Sequence, residues 1–189
     1  MDKRFIFIMA AAAVLMVVYS MLADRMKARR GVDSDEKRDI EALIREKIPG
    51  IGAFVPLFAW SEDGEGNNRR FHYCAVAFQT EVCWLIPLSY QVRYTHSELS
   101  GGEPVCYSVR NLNKVRSVAE KNQVTAAFYC HGEEMPVTFT VSAENTKFSR
   151  ICPVDISQKA ELEQFRDFLH DFTGKVDKTD KNTFKDKKI

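Results

Sequence analysis

The chain has 189 residues, of which 45% are hydrophobic, 11% aromatic and 28% charged. This composition is typical of a globular protein and excludes a collagen-like, coiled-coil or disordered chain, and the length allows one ordinary domain with additional segments. The 27 basic and 26 acidic residues give a net charge of +1, so the composition does not indicate nucleic-acid binding. Both ends of the chain are basic, with +4 on residues 1–30 and +3 on residues 174–189, and the remaining −6 falls on residues 31–173.

The first element is an apolar run over residues 5–23, which contains no charged residue and no proline. As a helix, these 19 residues would extend for roughly 28 Å, close to the hydrocarbon thickness of a bilayer. A cleaved secretory signal is the alternative, but its apolar core is usually shorter and a small-x-small cleavage site follows it. Here the run is followed by four basic residues. The pattern therefore predicts a retained single-pass transmembrane anchor over residues 1–30.

The basic residues that flank this run predict its orientation. Arg25, Lys27, Arg29 and Arg30 follow the run closely, whereas only two basic side chains precede it. Because the more basic flank tends to stay in the cytoplasm, we expect a cell-membrane protein whose C-terminal domain is cytoplasmic. The same four side chains are candidates for contact with anionic lipid headgroups.

A connecting amphipathic helix is predicted within residues 31–52. Ile40, Leu43, Ile44 and Ile48 follow the spacing of one helical face, and Pro49 with Gly50 ends the pattern. A helix with one apolar stripe and a charged back is expected to lie on a domain or on a partner, so this segment is not predicted to be a flexible linker.

The next hundred residues are predicted to form β-structure. Candidate strands are separated by turn residues such as Gly101-Gly102 and His131-Gly132. They cover residues 54–60, 71–78, 82–88, 105–110, 115–118, 124–130, 137–142 and 148–152. Residues 73–78 and 82–88 are nearly continuous apolar runs and should be buried on both faces, whereas 137–142 alternates as a half-buried antiparallel strand does. The turn at His131-Gly132 predicts a hairpin.

A second helix is predicted after the strands. Asp155 and Gln158 resemble a capping pair, and Gly174 is placed as a terminating residue. Between them lies a one-sided apolar stripe, which predicts a helix that closes a sheet or barrel. The stripe consists of Leu162, Phe165, Phe168, Leu169 and Phe172. Residues 174–189 are lysine-rich with one large aromatic residue, so we expect a disordered tail.

This order of elements resembles that of bacterial pleckstrin-homology-like domains. The stretch AVAFQTEVCWLIPL is similar to an early strand–turn–strand of that superfamily, VTAAFYCHGEEMPVTFTV to its last hairpin, and ELEQFRDFLHDF to its closing helix. Over residues 53–173 the resemblance implies an α+β fold, mostly antiparallel, with about seven strands in a barrel closed by the C-terminal helix. A cone-shaped α+β domain, as in membrane-anchored secretion-system assembly factors, is the competing fold, although it would need a longer N-terminal helical part.

The sequence does not predict a catalytic or metal site. Five cysteines occur without a C-x-x-C pair, and most lie in predicted strands, where core packing is favoured over metal binding. Cys130 and His131 are sequence neighbours whose side chains would point to opposite faces, which argues against a thiolate–imidazole pair. Glu133 and Glu134 are interpreted as a solvated hairpin tip. We therefore expect that the protein binds no cofactor and is not an enzyme.

One pair of basic residues remains as a binding candidate. Arg69 and Arg70 precede a predicted strand, and basic residues near the first hairpin contact phosphate groups in lipid-binding members of the pleckstrin-homology superfamily. The alternative is an ordinary solvated strand entry. The resulting functional hypothesis is a membrane-anchored, non-catalytic binding or scaffold module with a protein partner. The alternative hypothesis is an outward-facing component of an envelope or secretion assembly.

Overall fold

In a computed structural model of the protein, the described residues are Met16, 35–64, 68–92, 97–145 and 153–186. Apart from Met16, which is helical, they form helices α1 (Asp35–Lys47) and α2 (Lys159–Asp186) and ten strands. The strands are β1 (Val55–Asp63), β2 (Arg70–Gln79), β3 (Val82–Val92), β4 (Ser97–Gly101), β5 (Val105–Ser108), β6 (Leu112–Glu120), β7 (Gln123–Cys130), β8 (Val137–Ser142), β9 (Glu144–Asn145) and β10 (Ile156–Ser157).

The strands form one large antiparallel sheet and one small pair. The large sheet has eight strands, of which seven follow the order β4-β3-β2-β1-β8-β7-β6. The eighth, β5, pairs with the first part of β3 on the same edge as β4, and β9 and β10 pair separately. The predicted α+β class, mostly antiparallel with a C-terminal helix, is confirmed. The predicted closed barrel is wrong for the described residues, because β6 pairs only with β7 and the sheet stays open.

Helix α1 packs on one face of the sheet, as its apolar stripe predicts. Ile40 and Ile44 are fully buried, and so are Ala75 and Ala77, which β2 contributes to the same core cluster. A Cβ atom on Gly101 would come within 2.9 Å of a methyl group of Leu43. Small residues on β2 and β4 therefore let the helix approach the sheet closely.

Helix α2 packs on the opposite face and contributes three of the eight buried aromatic side chains. Its predicted apolar stripe is confirmed, since Leu162, Phe165, Phe168, Leu169 and Phe172 are all buried. Phe165 and Phe168 pack against Phe78 of β2 as tilted ring pairs, with ring centroids 5.3 and 4.8 Å away. The strands between the two helices are thus buried on both faces, as the apolar runs at residues 73–78 and 82–88 indicate.

The C-terminal end of α2 differs from the prediction. The helix does not end at Gly174 but continues to Asp186, so residues 174–186 are helical and not a disordered tail. Gly174 does not have the positive φ of a terminating glycine. Val176, two residues later, is fully buried in the core, and the burial of this side chain favours continuation of the helix. Residues 187–189 lie outside the described residues.

The strand prediction is also incomplete. The sequence pattern missed β4, which contains only one large apolar residue, Leu99, and the short strands β9 and β10. The predicted strand at residues 148–152 lies wholly outside the described residues and stays a prediction. The hairpin at His131-Gly132 is confirmed by the pairing of β7 with β8, and Gly132 has a φ of 83°, which favours glycine.

A buried glutamine closes the gap between β1 and β8. These two strands share one directly paired position, Trp60 with Thr140. Beside it, the side-chain amide of Gln158 accepts a hydrogen bond from the Phe58 N–H and donates to the carbonyl oxygens of Phe58 and Ser142, each at 2.8 Å. The carbonyl of Gln158 also accepts the first α2 hydrogen bond, from Leu162. Gln158, and not Asp155, therefore occupies the capping position of α2.

Candidate functional site

The predicted Arg69–Arg70 pair lies at the start of β2, where the β1–β2 connection ends. The Arg69 Nε atom is 3.0 Å from a carboxylate oxygen of Glu62. Arg70 is exposed and faces Asp63 in the β1–β2 register. Each arginine thus has an acidic neighbour on β1, which weakens the positive potential that a phosphate group would meet. The pair is accessible, but it is not an isolated basic patch.

The other predicted contact residues lie outside the described residues. They are Arg25, Lys27, Arg29 and Arg30, and nearly all of the apolar run at residues 5–23 lies outside as well. Among the residues that are described, no helix combines the length and the apolar character that crossing a bilayer requires.

Cys74 and Cys83 pack as small apolar side chains, whereas Cys106 is exposed. Cys83 is fully buried and Cys74 partly buried, and burial raises the pKa of the Cys74 thiol to about 12 and that of Cys83 well above its ordinary value. Such thiols stay protonated and are poor nucleophiles and metal ligands. Within the described ranges, no three histidine, cysteine or acidic side chains are grouped as metal ligands would be. Cys152 is not among the described residues.

The β7–β8 turn brings together a thiol and a carboxylate. Burial, the charge of Glu133 and a hydrogen bond with that carboxylate all raise the pKa of Cys130. Burial is also the main reason why the pKa of the neighbouring Tyr107 hydroxyl rises to about 12. His131 and Glu134 are exposed at this turn, as expected for a solvated hairpin tip. The arrangement keeps the Cys130 thiol neutral, whereas nucleophilic catalysis needs the thiolate.

Side chains already cover the edge of β5. The amide of Asn111 accepts a hydrogen bond from the Ser108 N–H at 2.7 Å and donates to the Cys106 carbonyl at 2.8 Å. The Asn111 N–H also donates to the Ser108 carbonyl. One asparagine therefore uses the groups through which a neighbouring strand would pair with β5.

Helix α2 lies along β6 at the other end of the sheet. The guanidinium of Arg166 donates to the carbonyl oxygens of Glu120 and Lys121 at the end of this strand. These hydrogen bonds connect α2 to the β6–β7 turn.

The sequence pattern did not predict a pocket that opens between α2 and the ends of β1 and β2. We call it the α2 pocket. Its volume is about 380 Å³, within the usual range of ligand sites. The pocket is lined by Ala53, Phe54, Val55, Phe78, Gln79, Thr80, Phe168 and Asp171. Phe168 belongs to the predicted core stripe, and nothing in the sequence pattern distinguishes it as a pocket wall.

The walls of the α2 pocket are held in place by contacts on several sides. The Gln79 side chain donates to the Ala53 carbonyl at 3.0 Å, which fixes the segment before β1. The Arg45 guanidinium lies 4.9 Å from the centre of the Phe54 ring, a cation–π contact. Phe78 and Phe168 form the floor with ring centroids 4.8 Å apart. The pocket is therefore largely preformed.

Comparison with known proteins does not add a family to these observations: no protein-family model matches the chain, and no curated protein matches it significantly.

Proposed function

We propose that this protein is a single-pass membrane-anchored, non-catalytic binding module that acts at the membrane surface. The observation that carries the proposal is the position of α1. This helix begins at Asp35 and packs directly on the sheet through Ile40 and Ile44, and the apolar run that predicts the anchor ends at residue 23.

The short connection limits how far the domain can move from the membrane. Only residues 24–34 separate the apolar run from α1, and eleven extended residues reach about 40 Å. A domain held within that distance meets membrane-bound partners at a high effective concentration, so weak contacts suffice for association. The α2 pocket supplies one surface for such a contact, and Arg69 with Arg70 remain a proposed contact for headgroups.

A pleckstrin-homology-like origin of the domain is part of the proposal. The meander β1–β4, the return of β8 to β1 and the long C-terminal helix agree with the element order that suggested the resemblance. The open sheet is a departure from the expected closed barrel.

The proposal is tested by comparing proximity-labelled neighbours of the full-length protein with those of a chimera. In the chimera, residues 1–34 are kept and the remaining residues are replaced by an unrelated soluble domain. We expect the set of neighbours to change, because the domain selects the partner. An unchanged set would contradict the proposal, since the anchor alone would then account for every association.

Orientation needs a separate measurement, because it distinguishes the proposal from an outward-facing envelope component. A reporter fused after residue 189 should show the activity of a cytoplasmic fusion. Alkaline phosphatase activity at that position would instead place the domain outside and favour the envelope or secretion alternative.

A further inference from the structure

We propose that the α2 pocket binds a short basic peptide segment of a protein partner, with one aromatic or large aliphatic side chain inserted in the pocket. This inference rests on the proposed binding function and adds to it the chemistry of the partner. The first observation is the apolar character of the pocket, whose walls include Phe54, Val55, Phe78 and Phe168. A pocket of about 380 Å³ is large enough for such an anchor side chain.

The second observation is the charge on the rim. Asp171 lines the pocket with its side chain 77% exposed, and Asp167 is exposed one helical turn earlier on the same side of α2. Two basic groups also lie at the rim, and each already has an acidic partner. Lys175 contacts Glu81 at 3.2 Å and the Thr80 carbonyl at 3.3 Å, and Arg45, which lies against the Phe54 ring, contacts Glu41 at 2.9 Å. His170 lies 3.4 Å from Asp171 but is itself 90% exposed.

The third observation concerns the whole domain. Residues 31–186, which include the whole of α2, carry a net charge of −5, so the field around the pocket favours the approach of a positively charged segment. A lysine or arginine next to the inserted side chain would reach the carboxylates of Asp171 and Asp167. Apolar insertion then supplies affinity, and the charge pair selects the partner.

Binding is tested with full-length protein in nanodiscs of phosphatidylcholine, a lipid without net charge, so that basic peptides are not captured by the bilayer. The probe is a fluorescein-labelled nine-residue peptide with a central phenylalanine between pairs of arginines, measured by fluorescence anisotropy. Two further peptides replace the phenylalanine by alanine or all arginines by glutamate. We expect the basic phenylalanine peptide to bind at least tenfold more tightly than either of them.

Variants of the protein assign the binding to the pocket. Ala53→Trp fills the pocket from an exposed position and should abolish binding. Asp171→Asn should weaken binding about fivefold at low salt, the magnitude of an exposed ion pair. Asp177→Asn, an exposed acidic residue farther along α2, is the matched control and should leave binding unchanged.

Three results would overturn the inference: no binding of the basic phenylalanine peptide, equal binding of the alanine or glutamate peptide, or binding that Ala53→Trp leaves intact. Failure of the inference is distinguishable from failure of the proposed function. If the labelled neighbours depend on the domain but do not change in Ala53→Trp, the binding function stands and this pocket is not its site.

Discussion

Replacing Gln158 by alanine should destabilise the protein more than almost any other single polar substitution. Gln158 is only 1% exposed, and its amide makes three hydrogen bonds of 2.8 Å, two to Phe58 and one to Ser142. These bonds connect β1 to β8 beside their single directly paired position. The substitution Gln158→Ala removes all three bonds. It leaves the buried N–H and carbonyl of Phe58 without these partners, whereas the Ser142 carbonyl keeps a hydrogen bond from the Asn145 side chain at 3.3 Å.

The expected loss follows from these contacts. A hydrogen bond contributes about 1 kcal/mol net, and a buried group left without its partner costs about 1–3 kcal/mol. We therefore expect the free energy of unfolding to fall by about 4 kcal/mol. For a domain of this size, that corresponds to a decrease in melting temperature of roughly 10 °C. Urea and thermal unfolding, followed by circular dichroism, measure both quantities.

Two further variants make the reasoning refutable. Gln164→Ala replaces an exposed glutamine of the same helix and should cost less than about 0.5 kcal/mol. Gln158→Glu keeps the size but places a buried carboxylate against the Phe58 and Ser142 carbonyls, so the carboxyl pKa of the folded state must rise. The protonated form is then favoured in the folded state, and stability is lost as the pH increases above about 4.3, the unfolded value. A loss below about 1 kcal/mol for Gln158→Ala, or a pH-independent deficit for Gln158→Glu, would show that the bridge is unimportant.

Four other outcomes are expected from urea unfolding of single variants. Gly101→Ala should cost about 1–2 kcal/mol of stability by overpacking beneath α1. Unchanged stability would mean that α1 does not pack closely on β4. Gly174→Ala should stabilise the protein by up to about 1 kcal/mol, because α2 continues through Gly174 and a Cβ atom there meets open space. A loss of stability would instead indicate that the helix ends at Gly174. Phe165→Ala should cost about 3–5 kcal/mol of stability, and Glu163→Ala less than about 0.5 kcal/mol. Equal effects would contradict the assignment of Phe165 to the buried face of α2 and Glu163 to the exposed face. A chain ending at residue 174 should lose about 2 kcal/mol of stability, because Val176 is buried. A chain ending at residue 179 keeps Val176 and should not lose stability. Equal stability of the two chains would show that Val176 is not part of the core.

The elements that the sequence predicted are those whose burial leaves a local pattern, either a period from one buried face or a continuous apolar run from two buried faces. Ile40, Leu43 and Ile44 follow the helical period because one face of α1 meets the sheet. Phe165 and Phe172 do the same in α2, and the continuous apolar run through Ala75 reflects a strand covered on both faces. Burial of one face imposes a local period, and a local period can be recognised without the tertiary structure.

Features that depend on distant contacts were not predictable. Gly174 resembles a terminating residue, but burial of Val176 against the sheet outweighs the cost of a glycine inside a helix. The α2 pocket combines Phe54 with Phe168, residues more than one hundred positions apart whose separate patterns indicate only the start of a strand and a core stripe. The prediction of a closed barrel also concerned distant contacts, because the sequences of β5 and β6 do not indicate which strands these two edge strands pair with.

Side-chain amides replace strand partners at two places in this sheet, and they bear on how the protein would bind a partner. Gln158 occupies the gap between β1 and β8, and Asn111 uses the hydrogen-bonding groups at the edge of β5. Such amides satisfy the backbone as a neighbouring strand would, at the cost of one ordered side chain each. A peptide that added a strand at β5 would first have to displace Asn111 and lose those bonds. Recognition through side chains, as proposed for the α2 pocket, avoids that loss because its walls are already in place.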